Sequence, residues 1–316
     1  MADLIPNVDL RPYTTLRVGG PADWFSQARS VDELARLVEG IHRGRDPLTL
    51  LGWGSNVLPS DDGVAGTVLI NETRGLTIDE ESGEVVSDSG VGFQELFLKT
   101  AQAGLAGLEF AVGIPGTVGG ALVSNAGAYR SNVSEFLTEI EIVHEGERGW
   151  VSADWMKFSY RDSILRGHNA PRAVLLRMRF RLPHGKAKAI YDEAREYQRQ
   201  RIGKQPPSAS AGSFFKNVED RPLAESLETL PPRLKEAGVV PAGYLIEQVG
   251  LIGHRIGGAM FARRHANFIV NVGGATASEI RDLATLAKWK VLEAYGVKLE
   301  EEVLYLGRWD SLLSNE

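Results

Sequence analysis

Gly113-Ile114-Pro115-Gly116-Thr117-Val118-Gly119-Gly120 places four glycines in eight residues. It lies inside a longer glycine-rich stretch, in which Gly104, Gly107, Gly113, Gly116, Gly119, Gly120 and Gly127 fall within 24 residues. An interior glycine costs a helix or strand about 0.5–1 kcal/mol relative to alanine. The density therefore predicts backbone that passes close to something. A second bare loop, Leu51-Gly52-Trp53-Gly54-Ser55-Asn56-Val57-Leu58, follows the apolar run Leu48 to Leu51. Converging backbone N–H groups in such loops hold diphosphate oxygens without a net basic protein. Either loop alone reads as a tight turn. Two together, with Ser55, Asn56, Thr117 and Asn125 as further donors, favour a dinucleotide cofactor. A Rossmann domain is not expected, because the first loop lacks the third glycine of G-x-G-x-x-G and meets Pro59 and Asp61-Asp62-Gly63 instead of a helix. The GK[ST] of a P-loop is also missing.

The composition narrows the chemistry. Glycine is 35 of 316 residues, about 11% against a typical ~7%. Cysteine is absent, which removes disulfides, thiolate metal sites, a cysteine nucleophile and a thioether-linked flavin. No metal site is expected, since the six histidines are scattered. The net charge of −6 opposes nucleic-acid or anionic-membrane partners. Met1 to Thr15 has no signal-peptide pattern, and no run of 18 apolar residues occurs. A cytoplasmic monomer is expected.

Length allows two domains. Ser30 and Glu33 have capping-box spacing and open a helix with Leu34, Leu37, Val38 and Ile41 on one face. Leu48 to Leu51, Val64 to Asn71, Glu84 to Asp88, Leu137 to Val143 and Ala173 to Leu182 read as strands. Val91 to Ala103 and Gly185 to Gly203 read as helices. Lys204-Gln205-Pro206-Pro207-Ser208 is the linker, because proline supports neither helix nor ladder. Beyond it come Ala211-Gly212-Ser213-Phe214-Phe215-Lys216-Asn217, a helix over Ser278 to Tyr295 and a final strand over Val297 to Leu306.

Five segments, in order, carry a resemblance: Leu51 to Leu58, Gly113 to Ala121, Tyr160-Arg161-Asp162-Ser163, Ala211 to Asn217, and Leu299-Glu300-Glu301-Glu302-Val303. Together they closely resemble the motifs of the UDP-N-acetylenolpyruvoylglucosamine reductase family, flavoenzymes of peptidoglycan precursor synthesis. The resemblance runs from about Thr14 to Gly307. It implies an α+β chain: a vanillyl-alcohol-oxidase (PCMH-type) FAD-binding domain of two subdomains over 14–182, a helix and linker over 183–209, and an α+β substrate domain over 210–308. Only 51 residues separate Arg161 from Ser213, an interval like that of the family's second, short type, which lacks the tyrosine-bearing loop of the first. Trp53 stands where a small residue is usual, Val218 replaces a common proline, and Glu219 to Gly238 resembles an insertion.

The resemblance assigns non-covalent FAD to Gly52, Gly54, Ser55, Asn56, Val57, Gly113, Pro115, Gly116, Thr117, Gly119, Gly120, Asn125 and Gly127, with NADPH as reductant. It implies a UDP-linked enolpyruvyl amino sugar as substrate, with Tyr160, Lys216 and Asn217 touching it. Hydride addition to an enolpyruvyl ether builds an enolate beside an existing carboxylate, so preformed positive charge is needed. Arg161 fits that need, being always charged and able to grip a carboxylate through two bonds; its plain alternative is an ion pair with Asp162. Glu302 would hold the same carboxylate, although Glu300-Glu301-Glu302 also reads as a solvated charge run. Ser213 would donate the proton; Gly212-Ser213-Phe214 is not the nucleophile elbow G-x-S-x-G. An FAD-linked oxidase of the same fold acting on a hydroxy acid or alcohol, and a non-catalytic flavoprotein or binding module, are the rival readings. His265 reads as a packed histidine.

Overall fold

The computed structural model describes residues 4–167 and 169–309. They divide into two compact units that do not follow chain order. The first comprises 4–8, Ala22–Trp53 and Ala65–Gly203; the second comprises Asp9–Pro21, Gly54–Val64 and 204–309.

The first unit contains two sheets. Strands Ile5–Asp9, Pro21–Ala28, Val64–Asn71 and Leu48–Leu51 lie side by side in that order. The last two are parallel, with Leu51 opposite Ile70. The register delivers Gly52 and Asn71, the residues that follow, to the same edge. The second sheet orders Glu147–Ser152, Leu137–His144, Ala173–Arg181, Glu84–Asp88 and Leu76–Asp79, all antiparallel.

Helix Val31–Gly44 buries Leu34, Ala35 and Val38 against Leu69 of the first sheet and Val143, Val174 and Leu176 of the second. Its cap differs from the expected box. Ser30 Oγ accepts from Glu33 N–H at 3.2 Å, but Glu33 reaches one residue further back, to Arg29 N–H at 2.8 Å. Helix Phe93–Gln102 packs Phe93, Leu96, Phe97 and Ala101 with Val85, Ile140, Ile142, Met178 and Phe180. Glu141 is buried in the second sheet. Burial pushes its carboxyl up, and Arg177 (2.5 Å) and Arg148 (2.8 Å) outweigh that and hold it below the usual range. Helix Ala187–Lys204 closes the unit.

The second unit is built around helix Ala277–Tyr295, which lays Ile280, Leu283, Ala284, Ala287 and Val291 into a core with Phe214, Phe215, Leu245, Ile246 and Phe261. Thr276 and Glu279 form a full capping box at its start, so the helix begins ahead of Ser278. Strands Ala209–Ser210, Ile269–Asn271, Ala259–Phe261 and Arg255–Ile256 form its antiparallel sheet. The expected strand Val297–Leu306 shrinks to Leu304–Leu306, paired in parallel with Val57–Pro59. Upstream of it only Glu301 bridges, to Phe215, so no continuous ladder forms. Glu219 to Gly238 folds as helices Arg221–Ser226 and Pro232–Ala237, closed by Val218–Glu219 pairing with Val239–Val240.

Phe180 is fully buried between helix Phe93–Gln102 and the second sheet. Phe180→Ala should lower unfolding free energy by roughly 3–5 kcal/mol, read as a shifted urea midpoint. A loss below about 1 kcal/mol would show that the helix does not depend on this packing.

Candidate active site

Gly52, near the start of the first glycine loop, meets the second glycine loop inside the first unit. A Cβ on Gly52 would overlap Thr117 Oγ1 and stand 2.7 Å from its Cγ2. Side chains do not tolerate such approaches, so only glycine fits. Gly119 is backed in the same way by Ser89, 2.9 Å from where its Cβ would be. Ser89 is itself held: Asn71 Nδ2 donates to its Oγ at 2.7 Å, while Asn71 Oδ1 accepts from Thr73 N–H and Oγ1. The Trp53 ring covers Gly92, whose Cβ would lie 3.0 Å from Cζ2. The indole remains 52% exposed on the loop surface.

Several N–H groups expected to face a diphosphate already have protein partners. Gly113 donates to Gln94 Oε1 (3.0 Å), Val118 to Val91 O (2.8 Å), Gly119 to Ser89 O (2.9 Å) and Gly120 to Thr117 Oγ1 (3.3 Å). Thr117 thereby caps helix Val118–Val123. These glycines contribute close approach of backbone more than free donors. Pro115 is exposed and Gly116 buried between them.

Tyr160 and Arg161 are the central residues of a tight turn, closed by reciprocal Ser159 and Asp162 backbone bonds of 3.1 and 3.3 Å. Arg161 has φ 54°. Its guanidinium lies 5.6 Å from the Tyr160 ring and donates to Gly127 O at 2.5 Å and Asn125 O at 3.5 Å. The expected alternative partner, Asp162, accepts instead from Ser163 N–H. Asn125 Nδ2 donates to Ser159 O at 2.9 Å, and its buried Oδ1 has no hydrogen-bond partner. Asn125, Gly127, Ser159, Tyr160 and Arg161 line a cavity of about 410 Å³.

In the second unit Ser213 follows Gly212, whose φ of 80° suits glycine. The loop is fixed by a residue that sequence reasoning left without a role. Asn267 O accepts from Phe214 N–H (2.7 Å), its Oδ1 from Phe215 N–H (2.9 Å), and its Nδ2 donates to Phe215 O (2.8 Å). A lone asparagine carries no sequence signal for this. Glu302 N–H donates to Phe214 O at 2.8 Å, which sets Glu302 beside the same loop. Asn56 Nδ2 donates to Glu302 O at 3.0 Å, so a predicted cofactor residue holds a predicted catalytic one. Val57 pairs with Leu304. Lys216 is buried and bonded to Glu300 at 2.5 Å; Asn217 Oδ1 accepts from Ala242 N–H at 3.3 Å. Gly54 O accepts from Thr15 N–H at 3.1 Å. Ser213, Glu302, Lys216, Asn217 and the loop from Gly54 to Val57 thus belong to the second unit, and Arg161, Tyr160, Gly52 and the second glycine loop to the first.

His265 packs on Phe268 with ring centroids 4.9 Å apart, and its Nδ1 accepts from Asn267 N–H at 3.3 Å. Burial, and then the charge of Lys204, lower its pKa. Among the described residues no group of three or more His, Asp or Glu could hold a metal ion, and no helix is long and apolar enough to cross a membrane.

Residues 22–149 match an FAD binding domain, so the fold defines a flavin-binding protein. Residues 204–306 match the C-terminal domain of UDP-N-acetylenolpyruvoylglucosamine reductase. The reductase of that name from Prochlorococcus marinus (strain MIT 9313) is 39% identical over 307 residues, covering 96% of this chain and 93% of its own. That of Rubrobacter xylanophilus is 39% identical over 300 residues, covering 94% and 93%. The crystal structure of the reductase from Thermus caldophilus superposes with a TM-score of 0.77 at 33% identity, covering 97% of this chain and all of that one. The chain belongs to the UDP-N-acetylenolpyruvoylglucosamine reductase family.

The lowered pKa of His265 carries a sign. The unfolded histidine takes a proton near 6.5 while the folded one resists it, so stability is full above that pH and falls as pH drops toward the folded value. The slope is at most about 1.4 kcal/mol per pH unit. Chemical denaturation between pH 7.5 and 5 should show this loss, with a shallower dependence in His265→Gln; equal slopes would assign the acid sensitivity elsewhere.

Proposed function

We propose that this protein reduces the enolpyruvyl ether of UDP-N-acetylglucosamine enolpyruvate to the lactyl ether of UDP-N-acetylmuramate, with NADPH as reductant. The product feeds peptidoglycan synthesis, and through it cell shape and division. Two observations, each within its own unit, carry the reading: a glycine cradle with Arg161 in the first, and a pinned Ser213 loop beside Glu302 in the second. The reading extends to a cytoplasmic monomer that engages neither nucleic acid nor membrane, in keeping with a net charge of −6.

The cradle fits a dinucleotide: Gly52 and Gly119 let the backbone lie against Thr117 and Ser89 where no Cβ has room, and Asn125 keeps a buried acceptor without a partner. Gly52, Gly54, Ser55, Asn56 and Val57 of the first loop, and Gly113, Pro115, Gly116, Thr117, Gly119 and Gly120 of the second, would hold FAD, with Asn125 and Gly127 beside them. FAD bound there, once reduced by NADPH, would supply the hydride. Arg161 meets the substrate carboxylate. Its guanidinium is held by two backbone carbonyls, so it needs little reorganisation as charge develops, and one such donor is worth about 100- to 1000-fold in rate. Glu302 orients the same end of the substrate, held at both N–H and C=O. Ser213 gives its hydroxyl proton to the carbon adjacent to the carboxylate. Asn267 pins the two residues after it, which limits the loop's freedom during that transfer. Lys216 and Asn217 follow on the same loop, and Tyr160, 47% exposed, contributes a pocket wall.

The test is anaerobic. NADPH should bleach the bound flavin of the wild-type protein, and the enolpyruvyl nucleotide alone should restore its colour. Ser213→Ala should keep the bleaching rate and slow the recovery by about a hundredfold or more. A reduced wild-type flavin indifferent to that nucleotide would overturn the reading; rapid reoxidation by oxygen with a hydroxy acid as electron donor would support the oxidase.

A further inference from the structure

Trp53 is the only aromatic residue in either glycine loop, Leu51 to Leu58 or Gly113 to Ala121. A loop bare of side chains can bring backbone close to a diphosphate. It offers nothing to the two planar rings that a flavin adenine dinucleotide carries at its ends.

The packing of the indole shows that its position is built. Cζ2 and Cη2 lie 3.0 and 3.2 Å from where a Cβ on Gly92 would stand. Gly92 has φ −61° and ψ 131°, a conformation open to any residue, so its backbone does not require glycine. It is the N-cap of helix Phe93–Gln102, and no side chain caps the helix there. Serine, threonine, asparagine or aspartate is ordinarily preferred at such a position. The next nearest atom to the missing Cβ, on Glu95, is at 3.5 Å, an ordinary contact. A side chain at Gly92 would therefore displace the ring, and the glycine makes room for one face of Trp53. Gly92 also bridges to Thr117, the residue against which Gly52 packs. The indole thus stands beside the point where Gly52 meets the second loop.

Docked on one side, the ring is still 52% exposed. Other tryptophans have a cation or a ring against them: Arg179 is 4.8 Å from Trp150, His144 5.6 Å from Trp155 and Tyr305 5.2 Å from Trp309. Among the described residues no such group covers Trp53. An aromatic surface held from behind and open in front suits a flat heteroaromatic partner.

We infer that Trp53 is a stacking platform for one planar ring of the bound cofactor, and a determinant of which dinucleotide the loop accepts. The inference rests on the flavin-binding reading, which supplies the ligand. The ring is the adenine or the isoalloxazine of FAD; both offer the same chemistry, a flat π-face.

Calorimetric titration of the full-length protein, stripped of flavin, with FAD, ADP and FMN separates the two. Trp53→Leu, which keeps apolar bulk over Gly92, should bind FAD about tenfold more weakly, as should Trp53→Ala. Trp53→Phe keeps a ring and should recover most of that loss. A loss confined to ADP between the two fragments assigns the adenine, and one confined to FMN assigns the isoalloxazine. The indole emission quenched by saturating FAD should be smaller in Trp53→Phe than in the wild type. Wild-type affinity for FAD in Trp53→Leu overturns the inference, as does equal quenching in the wild type and Trp53→Phe. Equal weakening of both fragments also overturns it, since the ring would then only prop the loop. Failure of the wild-type protein itself to bind FAD would instead overturn the flavin-binding reading.

Discussion

No methyl group fits between Gly52 and Thr117, and the candidate cofactor site follows from that contact. Parallel pairing of Leu48–Leu51 with Val64–Asn71 brings Gly52 and Asn71 to one sheet edge. Asn71 then holds Ser89, and Ser89 backs Gly119. A short chain of packing and hydrogen bonds therefore connects the sheet to both glycine loops. Any side chain at Gly52 pushes the loops apart, and close packing leaves little room to absorb it.

The second unit solves a different problem, the placing of a small hydroxyl on a loop without letting it wander. Phe214 and Phe215, fully buried, anchor the loop in the core. Asn267 satisfies its backbone, and Glu302 N–H adds a further bond. Ser213 sits one residue before this clamp. The same arrangement explains why Lys216 and Glu300 meet, since Phe215 and Glu301 bridge between them.

Local pattern made much of the fold legible. Val64 to Asn71 and Glu84 to Asp88 form strands with the expected bounds, because apolar residues and flanking turns mark them. The motifs also led to the family, since five ordered segments constrain more than any one. What escaped the sequence depends on partners distant in the chain. Leu304–Leu306 pairs with Val57–Pro59 across more than two hundred residues, so neither the interleaving of the two units nor the shortness of the last strand is visible locally. The glycine loops were legible as close approaches but not as donors already spent on Gln94, Val91 and Ser89. The role of Asn267 and the stack of Tyr129 on Tyr197 arise from tertiary contacts that no spacing announces.

The most direct test of the account is the FAD affinity of Gly52→Ala, measured by titrating flavin into the stripped protein and following its absorbance. The variant should fold, by circular dichroism, yet bind FAD at least about tenfold more weakly, a loss of ~1.4 kcal/mol. Wild-type affinity in that variant would contradict the claim that the Gly52 and Thr117 approach builds the cofactor cradle.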